Sequence, residues 1–218
     1  MITDDWIQRW NNGQIGFHLA EVNDRLLHHE REVFAGCSSV FVPLCGKSRD
    51  VAWLARRGYR VHGVECAETA VRALFDEAGI AWEMRSEGRF KVFEGANIRI
   101  DCGDLFDLSG PPAIPFDAVY DRASLIALPP SERLRYSRLM ISLLKPRGRM
   151  LLVGVEYNTM EMQGPPFSVP WVEVATSYGS AGRLDFLDME DILEKEPRFK
   201  QRGLTWLREY CLAFEKRP

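Results

Sequence analysis

The sequence predicts an α/β fold, a mostly parallel sheet with helices on both faces, and three observations carry that prediction. Short apolar runs alternate with helically spaced segments through the first two thirds of the chain, the rhythm of strands joined by crossover helices. The run Val40-Phe41-Val42 stops at Pro43 and Gly46, then reopens as Asp50-Val51-Ala52-Trp53-Leu54-Ala55: a strand, a tight turn and a helix. A second run, Tyr59-Arg60-Val61-His62-Gly63-Val64, ends in Glu65. In open α/β sheets the first turn seats a ligand, and a carboxylate ending the second strand grips the two hydroxyls of a ribose.

In chain order, residues 3–12 read as an amphipathic helix with Trp6 and Trp10 at i and i+4, broken by Asn11-Asn12-Gly13. A second helix is expected over 20–34, with Val22, Leu26, Leu27 and Phe34 as its apolar set. Then follow a strand 38–43, a helix 48–57 closed by Gly58, a strand 59–65, and a helix 67–78 closed by Gly79. Residues 89–93 and 97–100 alternate around Glu94-Gly95-Ala96 as a hairpin whose second arm doubles as the third parallel strand. Phe116 to Asp121 forms the fourth strand, Pro129-Pro130 opens a helix over 130–144, and Gly148 to Val155 is the fifth strand. The tail suggests a helix at 189–195 and strands at 204–208 and 210–215. A closing antiparallel pair after the fifth strand is the pattern of the class I methyltransferase fold, with seven strands. The expectation is one domain over 1–218, residues 1–36 a helical lid and 37–218 a Rossmann-like core.

Composition bounds the function. A chain of 218 residues, 46% hydrophobic and 27% charged, can bury a sizeable core as a globular protein. A net charge of −3 without a lysine or arginine run argues against nucleic acid as a partner. No apolar stretch approaches the roughly 20 residues of a membrane helix, and the acidic start Met1-Ile2-Thr3-Asp4-Asp5 lacks a signal-peptide core, so no membrane and a cytoplasmic location are expected. Cysteines 37, 45, 66, 102 and 211 form no C-x-x-C pair and the histidines no H-E-x-x-H, which argues against a disulfide framework and a metal. Cys45, Cys66 and Cys102 fall near strand ends, where small buried fillers are the bland reading. With no heptad pattern, a monomer is expected.

The cofactor follows from the turn. One glycine, Gly46, replaces the G-x-G-x-x-G that a pyrophosphate needs, and Phe41 stands where a P-loop requires its first glycine. A cofactor with a ribose and no phosphate fits better, and S-adenosylmethionine is the common one. Leu44 to Gly46 would form the turn beneath it, and Glu65 would reach its ribose. Asp104 and Leu105 follow the third strand, where adenine is usually met, and Asp121-Arg122 follows the fourth, facing the reacting end. Trp6, Trp10 and Phe17 offer aromatic faces to a sulfonium, worth about 0.5–2 kcal/mol, and a cover that excludes water. The alternative is that the two tryptophans only pin the terminal helix to the core.

Several stretches, taken in order, resemble one family. Val42-Pro43-Leu44-Cys45-Gly46-Lys47-Ser48, Gly63-Val64-Glu65, the stretch from Tyr120-Asp121-Arg122 to Leu128-Pro129-Pro130, and Gly164-Pro165-Pro166-Phe167-Ser168-Val169 are similar to the thiopurine S-methyltransferase family, particularly its bacterial branch. The opening Trp6-x-x-x-Trp10 and Asn12-x-Gln14-Ile15-Gly16-Phe17-His18 match as well. The resemblance runs from about residue 5 to the end. It implies S-adenosylmethionine contacts at the tryptophan-bearing lid, Leu44, Glu65, the Asp104-Leu105 pair and Arg122, and a substrate pocket roofed by the N-terminal segment and the Gly164–Val169 loop. Two departures stand out: Cys66-Ala67 where the family has a serine after the carboxylate, which loses a helix cap, and a local insertion from Ser109 to Pro115.

Methyl transfer from a sulfonium is an in-line displacement in which alignment can contribute about 7–11 kcal/mol. A thiol on an electron-poor ring ionises easily and attacks without a strong base, consistent with a sequence that shows no catalytic dyad. Arg122 is the catalytic candidate, its fixed charge stabilising a thiolate or an anionic purine; the alternative is that Asp121 neutralises it. The expected function is therefore S-methylation of small aromatic or heterocyclic thiols, extending to selenium or tellurium compounds. The alternatives are a nucleotide-cofactor oxidoreductase or a non-catalytic ligand-binding protein on the same sheet.

Overall fold

The computed structural model describes residues 2–16, 18–108 and 115–218, and the chain forms two compact units, Met1–Tyr120 and Asp121–Pro218. The first begins with α1 (Ile2–Asn11) and α2 (Asp24–Val33). The expected helix from residue 20 starts later because the Asn23 side chain accepts hydrogen bonds from the backbone N–H groups of Arg25 and Leu26, fixing the N-terminus there. β1 (Ser39–Val42) is buried along its whole length, as a continuous apolar run must be when both sheet faces are covered. Ser48 caps α3 (Arg49–Arg56), β2 (Arg60–Glu65) follows, and α4 (Glu68–Ala78) ends on Gly79 in the left-handed conformation.

The hairpin appears as β4 (Phe90–Gly95) and β5 (Ile98–Cys102), turning at Ala96 with φ +50°. β5 lies parallel to β2, Glu65 opposite Cys102, so its arm does serve as the third parallel strand. Ahead of it stands a strand the sequence did not announce, β3 (Glu83–Glu87), antiparallel to β4. A backbone ladder joins it to β4, and ions tie its side chains to the neighbouring strands: Arg85 bonds Glu94 as well as Glu87, and Arg99 bonds Glu87 as well as Asp101. β1 pairs with β2 on one side and, in parallel, with β6 (Phe116–Arg122) on the other. The strand order in this unit is β3-β4-β5-β2-β1-β6.

In the second unit Pro130 opens α5 (Pro130–Leu143), and β7 (Leu144–Glu156) starts four residues earlier than expected. α6 (Trp171–Tyr178) was not foreseen. The expected helix at 189–195 is instead the end of β8 (Gly182–Asp191) and a single 3₁₀ turn at Leu193–Lys195, followed by the short α7 (Pro197–Gln201). The antiparallel closing pair exists: the strand expected at 210–215 is β9 (Arg208–Lys216), but its partner is β8 rather than 204–208. Residues 204–207 stay out of the ladder because side chains hold their backbone: Glu161 accepts from the Thr205 N–H and Asp191 from the Leu207 N–H. The order here is β7-β9-β8, antiparallel throughout.

The described residues thus hold nine strands where seven were expected; β4 is the hairpin arm expected at 89–93, β3 is new, and the pairing is mixed rather than mostly parallel. Among the described residues no helix is long and apolar enough to cross a membrane.

Candidate active site

The turn after β1 is built from two left-handed residues, Leu44 at φ +44° and Gly46 at φ +53°. A leucine there costs about 1–2 kcal/mol, a strain that persists only where neighbours hold it. They do: the Cys45 N–H donates to the Val64 carbonyl at 3.0 Å, and the Gly46 N–H donates to Glu65 Oε2 at 2.9 Å. The turn therefore closes on the end of β2 through the carboxylate expected to face the ligand.

Glu65 is 4% exposed. Burial raises its pKa, and the N–H groups of Ala67 and Gly46 work against that rise by bonding the ionised form. Oε1 accepts from the Ala67 N–H at 2.9 Å and from the Cys66 thiol at 3.3 Å. Ala67 supplies no side-chain cap to α4, and Glu65 holds the Ala67 N–H just ahead of that helix. A carboxylate oxygen has more than one acceptor direction, so Oε2, with one described donor, keeps capacity for a hydroxyl. The residues present fit a ribose-bearing cofactor on that ground.

α1 lies against these strand ends. Thr3 Oγ1 donates to Asp104 Oδ2 at 2.8 Å, while Asp104 Oδ1 accepts from the Phe106 N–H and caps the turn Leu105–Asp107. At the helix's other end the Trp10 indole packs on Gly46 so closely that a β-carbon built there would sit 2.8 Å from Trp10 Cζ2. Trp10, Gly46, Glu65, Asp104 and the buried Leu105 are thus linked through one corner of the first unit, since the Gly103 N–H also donates to the Glu65 carbonyl. Trp6 carries the Arg9 guanidinium 5.3 Å from its ring centroid. Phe17 lies outside the described residues, as do residues 109–114 of the expected insertion. The anchoring role of Thr3 was missed; a lone threonine near a terminus carries no signal.

In the second unit Arg122 ends β6 and opens a tight turn, with Ala123 at φ +61° and Ser124 Oγ donating to the Arg122 carbonyl at 3.3 Å. Asp121 is fully buried and bonds the Leu125 N–H and the Tyr136 hydroxyl. Burial pushes its carboxyl up to about 6, against the opposing pull of those donors. The Gly164–Val169 loop is stapled at several points: Tyr157 donates its hydroxyl to the Pro166 carbonyl, Ser168 Oγ bridges the Tyr157 backbone, and the Phe167 N–H donates to the Ile126 carbonyl. The buried Arg133, another residue sequence reasoning passed over, donates to the Ser168 and Leu128 carbonyls and to both Glu173 oxygens. Among the described residues no group of His, Cys, Asp and Glu is arranged to hold a metal.

Comparison with known proteins bears on this geometry. The family described as thiopurine S-methyltransferase matches residues 1–217. A thiopurine S-methyltransferase of Azotobacter vinelandii is 42% identical over 218 residues, covering 100% of both chains. Another, of Nitrosospira multiformis, is 42% identical over 206 residues, covering 94% of this chain and 93% of its own. Among solved structures, the N-methyltransferase NodS of Bradyrhizobium japonicum, in complex with S-adenosylhomocysteine, aligns with a TM-score of 0.69 at 14% identity over 99% of each chain. A Burkholderia thailandensis 1,6-didemethyltoxoflavin-N1-methyltransferase aligns with a TM-score of 0.64 at 19% identity, covering 100% of this chain and 88% of that one. These structural likenesses show the class I methyltransferase fold.

Proposed function

The chain belongs to the thiopurine S-methyltransferase family, and from that premise we propose that it transfers a methyl group to the sulfur of small aromatic or heterocyclic thiols, with selenium and tellurium compounds as further acceptors. It is an S-adenosylmethionine-dependent methyltransferase, which sets aside the oxidoreductase and non-catalytic alternatives. When bound, the cofactor supplies an electrophilic methyl group on a sulfonium.

The observation that carries the residue assignment is the buried Glu65 carboxylate, fixed by the N–H groups of Gly46 and Ala67 at the end of β2. In this reading Glu65 accepts the ribose hydroxyls, Leu44 and Gly46 floor the site, Asp104 and Leu105 meet the adenine, and Trp6, Trp10 and Phe17 cover the cofactor and keep water out. Arg122 holds the incoming sulfur as a thiolate by its fixed charge, so no side chain need remove a proton during transfer. The Gly164–Val169 loop belongs to the acceptor pocket. The chain is read as one methyltransferase domain with residues 1–36 as its lid, acting as a monomer in the cytoplasm without nucleic acid or membrane.

The test is methyl transfer from labelled S-adenosylmethionine to 6-mercaptopurine by the wild type, Glu65→Gln and Arg122→Ala, with selenium and tellurium acceptors as competitors. Glu65→Gln is expected to raise the cofactor KM about tenfold, the worth of a hydrogen bond to a charged group, with little change in kcat. Arg122→Ala is expected to lower kcat. A wild type that binds the cofactor yet methylates no thiol would remove the substrate class and leave the methyltransferase.

A further inference from the structure

The buried polar groups of the second unit converge on one carboxylate. Asp121, at 0% exposure, sends Oδ1 to the Leu125 N–H at 3.2 Å and Oδ2 to the Tyr136 hydroxyl at 2.8 Å. The first bond spans the turn that Arg122 opens, and the second ties that turn to α5. From inside the turn, Ser124 Oγ grips the Arg122 carbonyl, and the left-handed Ala123 follows immediately. A non-glycine residue at positive φ persists where its surroundings over-determine it, and here the determinants are the Asp121 carboxylate and Ser124.

We infer that Asp121, held by Tyr136, is a positioning residue for methyl transfer: its ionised carboxylate fixes the turn that presents Arg122. The inference rests on the proposed role of Arg122. A protonated Asp121 would lose the charge that strengthens both bonds, and the Tyr136 hydroxyl would have to turn from donor to acceptor, so the turn would loosen. Transfer should therefore have an acid limb set by this residue. The titratable groups around it are Tyr136 from α5, Tyr178 from α6 and Tyr210 from β9, each held above the ordinary tyrosine range first by burial. None of them ionises in the range where a carboxyl does. The neighbouring charged side chain is Arg122.

The experiment is the pH dependence of kcat and of both KM values, from about pH 5 to about pH 8, for the wild type, Tyr136→Phe, Ser124→Ala and Arg122→Ala, acting on one thiol. Tyr136→Phe removes a donor that favours the ionised carboxylate, so the acid limb should move up by about one pH unit. Its kcat should fall about tenfold at the acid end while the cofactor KM holds. Ser124→Ala removes the bond to the Arg122 carbonyl and leaves the Asp121 carboxylate its Leu125 and Tyr136 donors, so kcat should fall with the limb in place. A merely structural Asp121 predicts lower melting temperatures with the limb unmoved in Tyr136→Phe and kcat intact in Ser124→Ala. That pattern, with kcat still lost in Arg122→Ala, overturns the inference and spares the role of Arg122. Wild-type kcat in Arg122→Ala overturns both.

Discussion

Replacing Gly46 by alanine tests how the first unit couples its N-terminal helix to the cofactor turn. Two costs can be worked out. The backbone at φ +53° suits glycine and charges a residue with a β-carbon about 1–2 kcal/mol. The added carbon would meet Trp10 Cζ2 at 2.8 Å and Cη2 at 3.3 Å, closer than van der Waals contact allows. The rim of an indole can tilt, and overpacking of this kind costs about 1–2 kcal/mol. The total is about 2–4 kcal/mol, a melting temperature lower by about 5–15 °C in a chain of this size. Urea denaturation of Gly46→Ala, Trp10→Ala and the double variant separates the two parts. In the Trp10→Ala background the alanine should cost only its backbone share, leaving a coupling of about 1 kcal/mol. Titration calorimetry with S-adenosylmethionine should show weaker binding by Gly46→Ala, since the proposed function makes the displaced indole part of the cover. A Gly46→Ala protein as stable as the wild type, or one whose loss is the same with and without Trp10, refutes the reasoning.

Three further outcomes follow from the buried charges. Arg133→Met strips the guanidinium from two carbonyls and the Glu173 carboxylate and should cost about 2–4 kcal/mol in denaturant unfolding. Glu173→Gln should cost less than about 1 kcal/mol, because the Glu173 side chain is 39% exposed and water replaces the lost charge. Asp121 binds its proton more tightly folded than unfolded, its carboxyl rising from 3.8 to about 6, so its contribution is full below pH 3.8 and is lost as pH climbs through 6. The stability of the wild type relative to Asp121→Asn should therefore fall by on the order of 2–3 kcal/mol across that window; a flat difference would contradict the burial argument.

The parts of the fold legible in the sequence are those where one physical rule acts alone. β1, β2 and β6 are buried, mainly apolar runs punctuated by proline, glycine or a capping serine, and nothing competes with that reading. β3 was invisible because ions tie its side chains: Glu-Met-Arg-Ser-Glu has no buried face, and its one large apolar residue, Met84, is 45% exposed. The end of β8 reads as a helix because Met189, Ile192 and Leu193 fall at helical spacing, although Met189 to Asp191 still pair with β9. At the site, Glu65 announced itself by position, yet its two backbone partners did not, because hydrogen bonds to N–H groups leave no mark on residue identity. The glycine at 46 is legible as a turn residue, but the indole that packs on it from 36 residues upstream is not. Asp121 was weighed as a counter-charge for Arg122; a tyrosine fifteen positions later supplies one of its hydrogen bonds, a pairing set by how α5 packs.

The outermost strands of the two units have a consequence for handling the protein. An unpaired strand edge offers a row of donors and acceptors to any passing chain, and concentrated solutions of sheet proteins gel by that route. Here β3 presents Glu83, Arg85 and Glu87, and β8 presents Asp185, Glu190 and Asp191. A second copy of β8 laid alongside would bring carboxylates against carboxylates and have to strip their water. The β8 edge thus repels its own kind, and the threat of fibrous aggregation there shrinks as pH rises above the carboxylate range and grows as it falls into it.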